Sequence, residues 1–490
     1  MARRARPDPA TVRPGPDRWR HIKPAARGLL GVEQRLVGLR ERAAILRFGV
    51  RHSSHGSAAV AGERHLLRAI GRWGLTAAVI NGVIGSGIFG LPAPLAALTG
   101  AGSPLAVLAA GAAIFVIVLC FAEVGSRFDS AGGPYLYVRE TLGPAVGFQV
   151  GWLHVWTRLL SAAAVLNIFA SYLSQLLPWV GTPAGRAVAI TSAIALVTAI
   201  NTTGVRQASW TVNAFTIAKL APLVGLLVLG AFHVDPAVLA TQHVAEPRWT
   251  EAILLLMFAF GGFESGIIAA SETKNPTRDT AFALLAAMAV VTLVYCSVQL
   301  TVVGVLPSAA AHAAPVSAAL GQLLGPAGVT LGSIAVVISV YGWLTGFALM
   351  TPRIVFAMAT RGELPARLAG LDPRTRVPAL AIIVNSFIAL ALGLASDFGQ
   401  LATFAAISRL GIYAATCVAL IVLRRTRGPS PGFRAPAGPV LAVLGIVFCG
   451  WLLTTRSLAE AWFLPVIVFA GAALRLRGGR RRTDAASTTP

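Results

Sequence analysis

From Leu75 onward the chain is a succession of apolar runs, most of them near the roughly 20 residues a helix needs to cross a bilayer. They fall at about 75–99, 104–126, 144–177, 186–204, 209–232, 251–271, 280–306, 328–357, 378–395, 398–423, 437–454 and 457–474. Composition agrees with a polytopic membrane protein. Charged residues make up only 12% of the chain, against about 25% in soluble domains, and the 56% that are hydrophobic exclude disorder over most of its length. The four cysteines, Cys120, Cys296, Cys417 and Cys449, are far apart and each lies in an apolar run, which excludes a disulfide framework or a zinc cluster. The expected fold is an all-α membrane protein with twelve transmembrane helices.

The net charge of +22 is uneven, since residues 1–74 hold 16 Lys and Arg against 5 Asp and Glu. A basic tail can mark a nucleic-acid partner, but no zinc-finger, RRM or helix-turn-helix pattern accompanies this one, so none is expected. Residues 1–74 read as a basic, disordered cytoplasmic tail in which 28–50 could lie as an amphipathic helix on an anionic leaflet. Residues 475–490 read as a second basic cytoplasmic tail. No uninterrupted apolar stretch ahead of a small-residue cleavage site marks a secretory signal. Beyond residue 74, a cytoplasmic N-terminus puts nineteen Lys and Arg in cytoplasmic loops and the C-terminal tail and only Arg186, Arg248 and Arg456 outside. That asymmetry supports both the span count and cytoplasmic termini.

Two of the runs carry interruptions. The first holds Gly82, Gly85, Gly87 and Gly90 within nine residues, each costing about 1 kcal/mol relative to alanine in a helix interior. The sixth repeats the device with Gly261, Gly262 and Gly266, and the triplet Ser-Gly-Ile occurs in both, at 86–88 and 265–267. Breaks at matching places in two halves point to an inverted-repeat secondary transporter. Lipid cannot satisfy freed backbone groups, so an unwound stretch lines a cavity. There, amides at a half-helix N-terminus attract a carboxylate and freed carbonyls accept from an ammonium, a combination that suits an α-amino acid. The bland alternative is close helix packing, the reading given to Gly143, Gly147 and Gly151. Gly85, Gly87 and Gly90 also match a dinucleotide fingerprint, but no strand precedes them and the next acid is Glu123, so that reading fails.

Charges within the spans come next. Lys219 lies near the middle of the fifth run, where an ionisable group costs at least ~2.5 kcal/mol and is a functional candidate by default. It either fills a cation position, making coupling protonic or absent and not sodium-dependent, or is a fixed structural cation. Glu264 follows the second break and either exchanges a proton or bonds the adjoining half-helix. Arg158 and Arg409 pair with Glu123, Glu264 or backbone carbonyls or snorkel to an edge, with a substrate-ligand role the lesser reading. No histidine, cysteine or carboxylate grouping marks a metal site, a cofactor or a catalytic centre.

Four stretches together resemble the amino acid–polyamine–organocation permeases: Gly85–Phe89, Gly132–Glu140, Phe258–Asp279 and Pro352–Pro365, in that family's order from about residue 70 to 475. The resemblance implies a leucine-transporter-type fold of five-plus-five inverted repeats with broken helices 1 and 6. On that pattern 75–474 is the transporter domain, with repeat 1 at about 75–232, repeat 2 at about 251–423 and accessory helices at about 437–474. It further implies that the backbone of Val83, Gly85, Ser86 and Gly87 holds the substrate carboxylate and that carbonyls near Phe258 and Gly261 hold its amino group. Phe258 matches an aromatic gate, Glu264 a proton-sensing position, and Lys219 the lysine that replaces a sodium ion. Ala162 departs from the polar ligand of the arginine exchangers and favours a neutral side chain. The expected function is a sodium-independent permease, not an enzyme, moving amino acids across the cytoplasmic membrane by alternating access with protons or by exchange. The alternatives are a transporter-like amino acid sensor and a polyamine or organocation permease.

Overall fold

The computed structural model describes residues 71–128, 133–203, 223–264, 267, 273, 275–428, 430, 432–456 and 462–487. The expected N-terminal tail therefore lies outside the described residues except for its last four, and so does most of the fifth run, including Lys219. Among the described residues the chain is helical, with no strand. Its helices of eight or more residues with both ends among the described residues are α1 (Arg72–Val83), α2 (Pro92–Thr99), α3 (Ser103–Gly125), α4 (Gly133–Leu142), α5 (Pro144–Leu173), α6 (Pro183–Thr202) and α7 (Trp249–Ala259). They continue as α8 (Pro276–Val305), α9 (Pro315–Leu324), α10 (Pro326–Thr360), α11 (Ala379–Ala395), α12 (Phe398–Thr426), α13 (Gly438–Thr454) and α14 (Phe463–Ser487).

Six described stretches are long and apolar enough to cross a membrane: Pro92–Gly125, Pro144–Leu173, Pro183–Thr202, Thr277–Val305, Pro326–Thr360 and Phe398–Thr426. α11 and α13, at 17 residues each, reach about 25 Å and match two further apolar runs. Helix starts follow local chemistry. Proline opens α5, α6, α8, α9 and α10, where a missing amide costs nothing and φ is already helical. Asp397 and Thr182 cap α12 and α6 by accepting from Gln400 N (2.9 Å) and Gly185 N (3.0 Å). α14 runs on past the apolar run to Ser487, through residues expected as a tail.

α5 is the central helix: it packs against α4, α10, α11 and α12, while α8 packs against α1 and α3. The approach of α4 to α5 depends on Gly147 and Gly151. A Cβ on Gly147 would stand 2.6 Å from Arg139 Cα, and one on Gly151 2.7 Å from the Tyr135 ring. That is the close-packing role read for Gly147 and Gly151; Gly143 has nothing within 4 Å of its Cβ position and instead takes a φ of +89° between α4 and α5.

At the arginine-rich end of the bundle, Glu123 closes α3 with no solvent exposure. Its carboxylate accepts from Arg424 Nε (2.8 Å), Arg127 Nη2 (3.1 Å) and Ala435 N (2.9 Å), and Arg424 Nη2 adds a second, parallel bond. α3, α12 and the segment leading to α13 thus meet on one buried acid. Removing one partner of such a group leaves uncompensated charges. Glu123→Ala is expected to cost about 3 kcal/mol and to lower the melting temperature of the detergent-purified protein, measured by intrinsic fluorescence; an unchanged melting temperature contradicts this account of the joint.

Candidate functional site

The first glycine-rich run unwinds over three residues. α1 ends at Val83, residues 84–86 are non-helical, and helical structure resumes as a single turn, Gly87–Gly90, before α2. The expected unwinding across the whole glycine stretch is thus confined to its centre. In the sixth run α7 ends at Ala259 and the chain turns through Phe260, Gly261 and Gly262, the last with φ of +113°, a conformation that favours glycine.

The two breaks lie against each other. A Cβ on Gly82 would stand 3.1 Å from the Gly262 carbonyl oxygen, and Gly262 in turn packs on Gly82 O, so backbone meets backbone. Tyr295 of α8 joins them: its hydroxyl lies 2.9 Å from Val83 O and 3.1 Å from Ala259 O, so its one proton is shared between a carbonyl at each break. Arg409 of α12 serves the second break, with Nη1 donating to Met257 O (3.1 Å) and Phe258 O (3.0 Å), carbonyls at the C-terminal end of α7. Its guanidinium lies over Gly261 so closely that any Cβ there would collide with it.

Glu264 stands behind this break. It accepts from Gly262 N (2.7 Å) and from the Tyr413 hydroxyl (2.9 Å), and its Oε1 is 3.4 Å from Arg409 Nε. These contacts bond the carboxylate to the backbone of the break and to α12. Phe121, Phe263 and Tyr413 pack mutually edge-on or tilted around it, with ring centroids 5.1–5.6 Å apart.

Between the breaks is a cavity of about 30 Å³. Val83, Gly85, Ser86, Gly87, Phe258 and Gly261 all line it, so six positions named from the sequence meet at one place. Arg158, Ser161, Trp343 and Arg409 complete much of the wall. Arg158 Nε donates to Thr351 Oγ1 (2.8 Å), and its guanidinium lies 5.6 Å from the Trp343 ring centroid. The cavity has room for a water or two, not for an amino acid. Phe258 meets Phe398 edge-on at 5.9 Å, and Phe398 in turn borders a larger cavity of about 430 Å³ that also reaches Asn167, Arg186, His312 and Asp397. The ring pair therefore stands between the two spaces.

Two other stretches of the resemblance meet outside the spans. The Tyr135 hydroxyl donates to Glu363 Oε2 (2.7 Å), Arg139 Nη1 pairs with Glu363, and the Arg361 guanidinium lies 5.2 Å from the Tyr135 ring centroid. Burial opposes the charge on Arg139, but the adjoining Tyr135 and Glu363 outweigh it and hold the guanidinium above its ordinary pKa.

Lys219 lies outside the described residues. Sequence reasoning missed Tyr295 and Trp343. A tyrosine hydroxyl inside an apolar helix needs a partner, and that was the signal available for Tyr295; nothing in the sequence singled out Trp343.

The fold and site define a helical membrane protein with two apposed helix breaks around an internal cavity. A family model described as amino acid permease matches residues 70–470, and the chain belongs to that family. It is 30% identical over 446 residues to the branched-chain amino acid permease BcaP of Bacillus subtilis, covering 84% of this chain and 94% of the relative. The methylthioribose transporter of the same organism is 27% identical, covering 83% and 92%, and its serine/threonine exchanger SteT is 26% identical, covering 81% and 92%.

Removing the Tyr295 hydroxyl takes away the one donor that the Val83 and Ala259 carbonyls share. Tyr295→Phe is expected to weaken the joint by about 1–3 kcal/mol and to speed hydrogen exchange in peptides covering 80–90 and 255–262, measured by mass spectrometry. Exchange unchanged in both peptides contradicts the bridging role.

Proposed function

We propose that this chain moves amino acids across the cytoplasmic membrane by alternating access, independently of sodium, with proton coupling or by exchange. The observation that carries the proposal is the apposition of the two breaks, which brings Val83, Gly85, Ser86 and Gly87 to the same cavity as Phe258 and Gly261. The substrate carboxylate lies along the amides of the first break. Its ammonium faces the carbonyls of the second, where Phe258 O accepts from Arg409 and has a second lone pair to offer. Relatives named as permeases or exchangers of branched-chain amino acids and of serine and threonine support an amino acid substrate.

The architecture we infer is twelve spans in a five-plus-five inverted repeat with both termini cytoplasmic. It is supported by one break in the first apolar run and its counterpart in the sixth, and by the alternation of Lys and Arg between loops. Alternating access fits the two closures: Phe258 and Phe398 cover the cavity on one side, and the Tyr135–Arg139–Glu363 contact joins α4 to the end of α10 at the other. Lys219 supplies the fixed or titrating cation that makes sodium unnecessary.

The test is uptake of a panel of labelled amino acids into proteoliposomes, with and without an inward proton gradient, with and without sodium, and with each candidate preloaded. Accumulation driven by the proton gradient or by preload, unchanged when sodium is removed, is expected. Flux that requires sodium contradicts the coupling assignment, and binding without flux contradicts transport.

A further inference from the structure

The charge of the cavity wall narrows the substrate class. Two guanidiniums line it, Arg158 from α5 and Arg409 from α12, and no carboxylate stands among the described lining residues. Glu264 is set behind Gly262, where the Gly262 amide and the Tyr413 hydroxyl donate to it and Arg409 Nε stands 3.4 Å away. Arg409 is itself fixed in place. It caps the carbonyls of Met257 and Phe258 at the negative end of α7, so a built-in cation already stands beside the carbonyls that face a substrate's ammonium. A second positive charge on the substrate would sit beside it with no acid to answer it among those lining residues.

Arg158 is placed differently. Thr351 holds its Nε at 2.8 Å, its guanidinium carbon lies over the Trp343 ring 5.6 Å from the centroid, and the side chain lines the cavity. A guanidinium at a cavity wall is the side chain suited to meeting a carboxylate. Ser161, one helical turn further along α5, lines the same wall.

We propose that the transported amino acid carries a second carboxylate: an acidic amino acid whose side chain meets Arg158, while its α-carboxylate and ammonium lie on the two breaks. This rests on the permease reading above and departs from the neutral side chain that Ala162 favoured, because the cavity wall, and not that one position, sets the charge the substrate meets. Basic amino acids and polyamines are excluded by the same two guanidiniums.

The experiment uses the full-length protein in proteoliposomes, with labelled aspartate, glutamate, asparagine, glutamine, leucine and lysine. Aspartate or glutamate is expected to be taken up, and each to compete for that uptake better than its amide counterpart. In Arg158→Gln the ratio of acidic to amide competition is expected to fall about 30-fold, the scale of losing one partner of a buried charge pair. Arg158→Lys, which keeps the charge and loses the fork, recovers part of it. Uptake of leucine or an amide with no uptake of, or competition by, the acids overturns this inference and leaves the permease reading standing. So does an unchanged ratio in a folded Arg158→Gln. If Arg158→Gln does not fold, the wild-type panel and Arg158→Lys decide. No uptake of any of the six by folded protein counts against both.

Discussion

A helix broken inside a membrane exposes carbonyls that lipid cannot satisfy, and the arrangement of the core follows from how this chain supplies their donors. Two side chains do most of it. Arg409 donates to the last carbonyls of α7, and the one proton of the Tyr295 hydroxyl is shared between a carbonyl at each break. Because Arg409 belongs to α12 and Tyr295 to α8, two different helices hold the breaks. Gly82, Gly261 and Gly262 are glycine for a corresponding steric reason: backbone or guanidinium occupies the space a Cβ would take.

This scaffold accounts for a cavity that is small as well as lined with charge. Glu264 anchors the second break through Gly262 and Tyr413, and Phe121 and Phe263 pack around Tyr413. Trp343 bounds the space beside Gly85, where a Cβ would stand 3.1 Å from the indole. On the proposed transport cycle, an amino acid enters when these walls separate. The contacts best placed to yield are aromatic at one closure, Phe258 on Phe398, and ionic at the other, Arg139 and Tyr135 on Glu363.

Much of this was legible in the sequence. The apolar runs gave the long helices to within a few residues at most ends, and the glycines located both breaks, because helix propensity and the cost of unsatisfied backbone in lipid act locally. The six cavity positions were reached by combining those breaks with the family resemblance. What stayed hidden depends on which helix faces which. Arg158 and Arg409 were recognisable as buried charges, yet their partners, Thr351 and Trp343 for one and the α7 carbonyls with Glu264 for the other, lie on helices far away in the chain. Glu123 was a candidate partner for both and instead takes Arg424 and Arg127. The extent of unwinding was also beyond local reasoning, since Gly87 and Gly90 lie within a helical turn although they are poor helix formers.

The central claim is that the two breaks enclose the substrate. It is tested most directly by alkylation of Ser86→Cys in a background where the four native cysteines are alanine, with and without the transported amino acid. Ser86 is buried at the first break and lines the cavity. The account predicts that saturating substrate slows maleimide labelling at this position, while labelling of a cysteine at exposed Thr241 stays constant. Labelling of Ser86→Cys at the same rate with and without a substrate that is demonstrably transported would contradict it.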